Sequence, residues 1–240
     1  MAAGADILVL LAAGAGLRMQ GAVEDKVATP LAGRAALVHS LAAFAATGLI
    51  GRVIVAHRDE AQRRRLEEIL AAQPAGLSVD AWVAGGAERQ DSVLAALEAA
   101  GEADALVHIH DGARPLVTPR AIRLVRARAL ETGAAILASR SPDTVKIARP
   151  GEPTVDSSPE RQLVWTAETP QVFRLRLARD AYRRAAEQGR RVTDDSAAVA
   201  LAGHDVSLVE NPDPNLKLTR PTDLALAEAI LRSRASRPPE

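Results

Sequence analysis

The sequence predicts an α/β fold in which a mostly parallel, twisted sheet is flanked by helices and carries a protruding β-arm. Short apolar runs alternate with amphipathic stretches along most of the 240 residues. The apolar runs lack polar alternation, which is typical of parallel strands that are buried on both faces. Residues 140–170 break this rhythm with several prolines and short β-like pieces, over a stretch too long for an ordinary connection.

The predicted strands are short runs rich in valine, isoleucine and leucine, beginning with DILVLL. In chain order they cover residues 6–11, 52–56, 77–84, 103–111, 134–139 and 205–210. Each of the first five is followed by a helical pattern or a loop, as in repeated strand–helix units.

The predicted helices lie between these strands. In chain order they cover residues 34–48, 60–72, 92–101, 119 to about 131 and about 175–188, then part of 193–203, and a last helix that begins at Pro221. Asp59 and Thr118 are predicted N-caps, and Pro119 suits the first turn of its helix. We expect a single domain over 1–240, with the arm inserted at 140–170.

The composition excludes several classes of protein. The formal net charge is zero, which argues against a nucleic-acid-binding protein. The chain has no cysteine, so disulfides and thiolate metal sites are excluded. No apolar run reaches the ~18–20 residues needed to cross a bilayer, and the N-terminus lacks a signal-peptide pattern. A soluble cytoplasmic protein with no membrane partner is expected.

The loop after the first strand, LAAGAGLRMQGAVEDK, predicts a site for a nucleoside triphosphate. Gly14 and Gly16 let backbone N–H groups approach anionic oxygens, Arg18 can bind two oxygens at once, and Lys26 adds a compact charge. The motif is neither Walker A nor GxGxxG, because Met19 stands in place of the third glycine. The alternative is a glycine turn with two solvated cations.

Lysine is scarce in this chain. Only Lys26, Lys146 and Lys217 occur, and the other cations are arginines. A position that keeps lysine is therefore a mild indication that a compact ammonium group is needed there.

The combination AAGxGxRM with a downstream lysine resembles the nucleotidyltransferases that have a Rossmann-like sheet. Further stretches resemble the 2-C-methyl-D-erythritol 4-phosphate cytidylyltransferase family in order and spacing. They are GGAERQDSVLAAL (85–97), VHIHDGARP (107–115), TPQVF (169–173), TDDSAAV (193–199) and NLKLTRPTDLALAE (215–228). The resemblance covers nearly the whole chain and implies a Rossmann-like nucleotidyltransferase fold.

The resemblance implies a reaction in which the phosphate of methylerythritol phosphate attacks the α-phosphorus of CTP and pyrophosphate leaves. It implies that Arg18 and Lys26 stabilise the charge of the transition state. The nucleotide-binding positions that it implies are Ala12, Ala13, Gly14, Gly16, Gly86, Ser92 and Asp111. The reaction needs positioning and charge stabilisation rather than covalent catalysis.

The resemblance also implies a cofactor, an acceptor site and a partner. Asp111 matches an aspartate that contacts Mg²⁺ or another divalent cation, although a turn aspartate is the simpler alternative. Thr144, Arg161 and Lys217 match acceptor-binding positions. Arg114 has two open roles, a structural one and contact with the acceptor phosphate. The family's arm reaches into the neighbouring subunit, so a homodimer with exchanged arms is implied.

Two stretches depart from the family pattern. The usual text around the lysine is Pro-Lys-Gln, whereas this chain has Asp25-Lys26-Val27. We expect this change to loosen the loop and to place a carboxylate beside the lysine. In the arm, Ser157 follows TVD where the family has arginine, and Arg161 lies four residues before Trp165 as the family's arginine does.

Other polar clusters have simpler interpretations. His108 and His110 form an HxH pattern, but they alternate with apolar residues and have no evident third ligand, so a structural role is predicted. Asp194 and Asp195 are predicted to cap a helix, and the arginines at 63–65 to form a solvated helix face.

Three alternatives to the leading function remain open. The acceptor of the same chemistry could be ribitol 5-phosphate or another sugar phosphate. A nucleotide-binding sensor without turnover is the alternative of another class, and the changes at Asp25 and Val27 are its only support. A Rossmann dehydrogenase would need GxGxxG and an acidic residue after the second strand, where the chain has Ala56-His57-Arg58.

Overall fold

The computed structural model describes residues 5–14, 19, 21 and 23–236, and within them the predicted α/β architecture is confirmed. Its strands are β1 (Asp6–Leu11), β2 (Pro30–Leu31), β3 (Arg34–Ala35), β4 (Ile50–His57), β5 (Ala81–Ala84), β6 (Leu106–Asp111), β7 (Ala134–Arg140), β8 (Ile147–Ala148), β9 (Val155–Ser157), β10 (Trp165–Arg174) and β11 (Ser207–Glu210).

The helices lie close to their predicted positions. They are α1 (Ala36–Ala45), α2 (Glu60–Ala72), α3 (Arg89–Ala99), α4 (Pro119–Thr132), α5 (Leu175–Glu187), α6 (Asp195–Leu201) and α7 (Pro221–Ala235). Both predicted caps are present, because the side chains of Asp59 and Thr118 accept hydrogen bonds from the N–H groups of Gln62 and Ala121. Among the described helices, none is long and apolar enough to cross a membrane.

The main sheet has the strand order β11-β7-β10-β6-β1-β4-β5. β1 runs parallel to its neighbours β4 and β6, and β4–β5 and β7–β11 are parallel pairs as well. β10 is antiparallel to both β6 and β7. The carboxyl ends of β1, β4, β5, β6 and β7 therefore meet at one edge, together with the beginning of β10.

Both faces of the sheet are covered, which explains the continuous apolar runs. In β1, Leu8 and Leu10 pack in a cluster with α1, α2 and α7, whereas Ile7 and Val9 pack in a second cluster with α3, α5 and α6. Because these side chains are all buried, a polar residue at any of the four positions would face the core.

The stretch 140–170 contains a short antiparallel hairpin, β8–β9, whose residues are exposed. The same stretch overlaps the main sheet, since β10 begins at Trp165 and pairs with β7 from there. Sequence reasoning did not predict β10 as a strand. The proline and the polar residues of TAETPQ are not typical of a buried strand. The second half of β10 is nevertheless buried, between β6 and β7.

Candidate active site

A cleft of about 400 Å³ opens at the carboxyl edge of the sheet. It lies beyond β1, β4, β5 and β6, the place where open parallel sheets bind ligands. Most of the sequence-predicted nucleotide positions line it. The lining includes Ala12, Ala13, Gly14, Lys26, Gly86, Ser92, Asp111 and Lys217.

The loop after β1 brings Gly14 against Lys26. A methyl group on Gly14 would lie 3.7 Å from Nζ of Lys26, an ordinary van der Waals distance. The lysine head group therefore stands directly over the glycine, where it can meet an anion that the loop holds. The predicted Gly16 and Arg18 lie outside the described residues.

The second loop, between β5 and α3, is built on two adjacent glycines. A Cβ atom on Gly85 would lie 2.6 Å from Cβ of Ala13, and one on Gly86 would overlap Cβ of Asp91. The hydroxyl of Ser92 accepts a hydrogen bond from the N–H of Gly86 at 3.1 Å. Ser92 thus ties the loop to α3.

Asp111, at the end of β6, lies among three cations. Its Oδ2 accepts a hydrogen bond from Nζ of Lys217 at 2.6 Å, and its Oδ1 accepts one from Nε of Arg89 at 3.3 Å. Nε of Arg114 lies 3.8 Å from Oδ2. Burial raises the pKa of Asp111, but the three cations outweigh burial and hold the pKa well below its usual range. The carboxylate is therefore ionised at any physiological pH.

His110 and Thr169 fix the end of β6 in place. Thr169 Oγ1 accepts a hydrogen bond from the N–H of Asp111 at 3.1 Å and lies 3.0 Å from Nδ1 of His110. Nε2 of His110 lies 3.2 Å from the carbonyl oxygen of Arg114, so Nε2 carries the proton and Nδ1 accepts from the hydroxyl. Burial lowers the pKa of His110 to about 3, which keeps the ring neutral.

This arrangement agrees with the predicted structural role of the HxH pattern. His108 is also buried, and its Nε2 lies 2.9 Å from Oδ2 of Asp6. Within the described ranges, no group of three histidine, cysteine, aspartate or glutamate side chains is arranged to hold a metal ion.

Arg89 is a site residue that sequence reasoning missed. Its two terminal nitrogens donate to Oδ1 and Oδ2 of Asp195, each at 2.8 Å, and the hydroxyl of Tyr182 donates to the same carboxylate. Asp194 accepts the capping hydrogen bond from Ala197, so Asp194 alone caps α6 and Asp195 orients Arg89. The prediction that both aspartates cap the helix is wrong for Asp195.

No residue-type signal marks Arg89 or Arg58, which also lines the cleft. Arginine is the usual cation of this chain, so its presence at a position carries little information. Asp195 lies 106 residues from Arg89 along the chain, and only the fold brings the two together.

A second cavity of about 340 Å³ adjoins the first. The two cavities share Arg89, Asp111 and Lys217, and the second adds Arg114 and Glu168. The guanidinium of Arg114 donates to the carbonyl oxygen of Asn215 at 2.7 Å, so it also ties two loops together. The two roles left open for Arg114 are thus compatible.

Two predicted acceptor residues lie away from both cavities. Thr144 is exposed beside the hairpin. Arg161 is exposed in a shallow depression that also contains Arg140 and Glu160. Within one chain, the structure does not bring these side chains to the cleft.

The comparisons with known proteins agree with this geometry. Residues 7–233 match the family model described as 2-C-methyl-D-erythritol 4-phosphate cytidylyltransferase. The chain belongs to this family.

Curated members of the family match over nearly their full length. The 2-C-methyl-D-erythritol 4-phosphate cytidylyltransferase of Syntrophotalea carbinolica is 40% identical over 230 residues, which cover 93% of this chain and 95% of the relative. The enzyme of the same name from Bacillus velezensis is 37% identical, covering 95% of this chain and 96% of the relative.

Solved structures of the family share the fold. The 2-C-methyl-D-erythritol 4-phosphate cytidylyltransferase of Thermus thermophilus is 33% identical with a TM-score of 0.74, covering 93% of this chain and 98% of that one. The 4-diphosphocytidyl-2C-methyl-D-erythritol synthase of Anaerococcus prevotii is 27% identical with a TM-score of 0.80, covering 95% and 99%.

Proposed function

We propose that this protein transfers CMP from CTP to 2-C-methyl-D-erythritol 4-phosphate and releases pyrophosphate, a step in isoprenoid precursor synthesis. The observation that carries the proposal is the meeting of Lys26, Ser92, Asp111 and Lys217 around one cleft at the carboxyl edge of the sheet. These residues come from four separate segments, and membership of the family supplies the substrates. Because the donor is a nucleoside triphosphate, the proposed place of action is the cytoplasm.

The cleft suits an in-line displacement at the α-phosphorus. An oxygen of the acceptor phosphate forms a new bond to that phosphorus, and the bond to the bridging oxygen breaks with its electron pair on pyrophosphate. The acceptor is already an anion, so no proton has to be removed. Lys26 and Arg58 line the cleft as cations, and they can stabilise the charge that develops on the phosphate oxygens.

The second cavity is the proposed place of the acceptor. Arg114 and Lys217 supply positive charge for its phosphate, and Thr169, Thr193 and Asp194 offer hydrogen-bonding groups for the hydroxyls of a polyol. The cavity adjoins the nucleotide cleft at Asp111, so an acceptor phosphate bound here would lie beside the α-phosphate.

Asp111 fits a divalent cation such as Mg²⁺, the proposed cofactor. Its carboxylate stays ionised at the border of both cavities. Mg²⁺ is commonly held by one or two carboxylates together with substrate phosphates and waters. A bound cation would neutralise charge on the phosphate oxygens. Lys217 and Arg89 contact the Asp111 carboxylate in this structure. A metal ion bound there would share the carboxylate with these two side chains.

We also propose a homodimer in which the hairpin region of each subunit completes the site of the other. Thr144 and Arg161 are exposed here and lie outside both cavities of their own chain. The same region exposes Ile147, Val155 and Leu163, the last with 71% of its surface accessible. A partner subunit that covered these side chains would remove apolar surface from water.

The test is pyrophosphate release by the purified protein with CTP, methylerythritol phosphate and Mg²⁺. Parallel reactions replace the acceptor with ribitol 5-phosphate, replace CTP with UTP or ATP, and replace Mg²⁺ with a chelator. Release that requires CTP, methylerythritol phosphate and the metal supports the proposal. Pyrophosphate release with ribitol 5-phosphate but not with methylerythritol phosphate would keep the reaction and change the acceptor. CTP binding without pyrophosphate release from any pair of substrates would indicate a nucleotide-binding sensor.

A further inference from the structure

Gln62, in the first turn of α2, connects three loops at the carboxyl edge of the sheet. Its side chain is buried. Nε2 donates to the carbonyl oxygen of Ala12 at 3.1 Å and to Oδ2 of Asp25 at 2.6 Å. Oε1 accepts from the N–H of Arg58 at 2.7 Å. The amide thus uses both of its N–H groups and its oxygen on partners from three different segments.

Each of these partners adjoins residues that line the nucleotide cleft. Ala12 itself lines the cleft and leads into Gly14, Asp25 precedes Lys26, and Arg58 is a lining residue. The amide of Gln62 therefore sets the mutual positions of the β1 loop, the lysine turn and the end of β4. It does so from behind, because Gln62 does not line the cleft.

Asp25 closes the turn that carries Lys26. Its Oδ1 accepts from the N–H of Val27 at 3.1 Å, and its main-chain oxygen accepts from the hydroxyl of Thr29 at 2.8 Å. The carboxylate is buried, with 5% of the residue exposed. The aspartate expected from sequence to loosen this loop instead makes a hydrogen-bonded turn around the lysine.

Arg58 and Ala12 fix the orientation of the Gln62 side-chain amide. The N–H of Arg58 can only donate, so it requires the oxygen of Gln62 on its side. The carbonyl of Ala12 can only accept, so it requires the Nε2 group. Position 25 must therefore present an acceptor to Gln62 and another to Val27, which a carboxylate does and a carboxamide cannot do at both oxygens.

We propose that Gln62 and Asp25 are positioning residues for Lys26, a pair that holds the lysine at the reacting phosphate without touching substrate. This inference rests on the proposed function. A displacement of about 1 Å can cost on the order of 100-fold in rate, so the pair acts on turnover through the placement of the ammonium group. A purely structural role would change the folded fraction and leave turnover per folded molecule as it is.

The test is a reversal of polarity. Asp25→Asn places a donor opposite Nε2 of Gln62, and Gln62→Glu places two carboxylates face to face. The double variant restores a donor opposite an acceptor, with an amide at position 25 and a carboxylate at position 62 that still accepts from Arg58. The carbonyl oxygen of Ala12 loses its donor and faces a carboxylate oxygen in the place of Nε2, 3.1 Å away in the wild type, so the expected recovery is partial.

We expect each single variant to lower kcat by roughly 10-fold to 100-fold, with little change in the KM of the acceptor. The double variant should recover several-fold over either single variant. Gln73→Glu is the matched control, because Gln73 follows the other end of α2 and its Oε1 accepts from the N–H of Ala35, a contact that a glutamate keeps. The control should keep the wild-type kcat.

A second measurement is independent of turnover. Hydrogen–deuterium exchange of the peptides that contain Val27 and Arg58 should accelerate in each single variant and slow again in the double variant. Single variants with wild-type kcat per folded molecule would overturn the proposal, and so would a double variant no better than the singles. If the wild-type protein itself releases no pyrophosphate, the proposed function fails. Unchanged hydrogen–deuterium exchange in the single variants would instead overturn the positioning role of Gln62 and Asp25.

Discussion

Nζ of Lys217 lies 2.6 Å from Oδ2 of Asp111, although 106 residues separate the two along the chain. The pair stands where the two cavities meet. It therefore places one positive and one negative group at the point where an acceptor phosphate, a nucleotide phosphate and a cation would converge. The ammonium group balances the charge of the carboxylate in this structure, and under the proposed function it would also bind the incoming phosphate.

Lys217→Ala tests this placement. We expect the KM of methylerythritol phosphate to rise and kcat to fall by about 100-fold, because one contact to the transferring phosphates is lost. Thermal stability should change little, since Arg89 and Arg114 still face Asp111. Steady-state pyrophosphate release and thermal unfolding provide the measurements.

Arg232→Ala is the control for removing a cation. Arg232 is an exposed residue of α7 whose guanidinium pairs with Glu228 on the same helix. The control should match the wild type in both measurements. Normal kinetics in Lys217→Ala would show that the lysine is only a counter-ion for Asp111.

Mixing two inactive variants tests the exchange of arms. Lys26→Ala removes a cleft residue and Arg161→Ala removes a residue of the arm region, so each homodimer should be nearly inactive. In a mixed dimer, one site receives an intact lysine from its own chain and an intact arginine from the partner. Random mixing should restore about a quarter of wild-type activity, because half of the dimers are mixed and each has one good site.

The measurement is activity after the two variants are unfolded and refolded together, with each refolded alone as the control. Activity that stays at the low level of the separate variants would place Lys26 and Arg161 in the same chain's site. Wild-type activity of Arg161→Ala refolded alone would remove Arg161 from the site.

Two glycine substitutions should separate binding from folding. Gly14→Ala adds a methyl group at ordinary distance from Lys26, so we expect normal stability and weaker CTP binding. Gly86→Ala forces the new Cβ atom into Asp91, so the loop and the start of α3 must shift and the melting temperature should fall.

Calorimetric CTP titration and thermal unfolding of both variants distinguish the two effects. Tight CTP binding by Gly14→Ala would show that the triphosphate does not approach this glycine. An unchanged melting temperature for Gly86→Ala would show that the loop absorbs the extra group.

The neutral state of His110 predicts a dependence of stability on pH. Burial lowers its pKa from 6.5 to about 3. Between these pH values, His110 is protonated in the unfolded chain and neutral in the folded chain. The stability that the neutral His110 contributes is fully present above the pKa of the unfolded state. It is lost as pH falls, by about 1.4 kcal/mol in unfolding free energy for each pH unit in this window.

Urea unfolding at about pH 7.5 and about pH 5 measures the effect. His110→Gln keeps an N–H donor for the carbonyl of Arg114 but cannot titrate, so its stability should fall less between the two pH values. An equal fall in both proteins would assign the pH dependence to other groups, such as His39, whose pKa burial also lowers.

The local signals in the sequence predicted the frame of the molecule well. Strands such as β1 and β6 contain apolar runs that identify them from sequence. Helix caps such as Asp59 and Thr118 depend on only a few neighbouring residues. The cleft followed because loops after parallel strands meet at one edge. Lys26 and Lys217 stood out because lysine is rare in this chain.

What could not be predicted depends on contacts between distant segments. The pairing of Arg89 with Asp195 and the bridge from Gln62 to Asp25 each join residues far apart in the chain. A buried glutamine in a mostly exposed, charged helix carries no pattern that distinguishes it from its neighbours. β10 was missed for a related reason, since its identity as a strand comes from the two strands beside it.

The position of β10 also sets the order in which the sheet can be completed during translation. β5, β4, β1 and β6 can pair with one another as soon as residues 6–111 have left the ribosome. β7 and β11 have no partner in that half, because β10 lies between β7 and β6. Until Trp165–Arg174 emerges, the edge of β6 stays unpaired, and such edges promote association with other chains. A ribosome that stalls between residues 111 and 165 would therefore hold a nascent chain whose β6 edge is open to association with other chains.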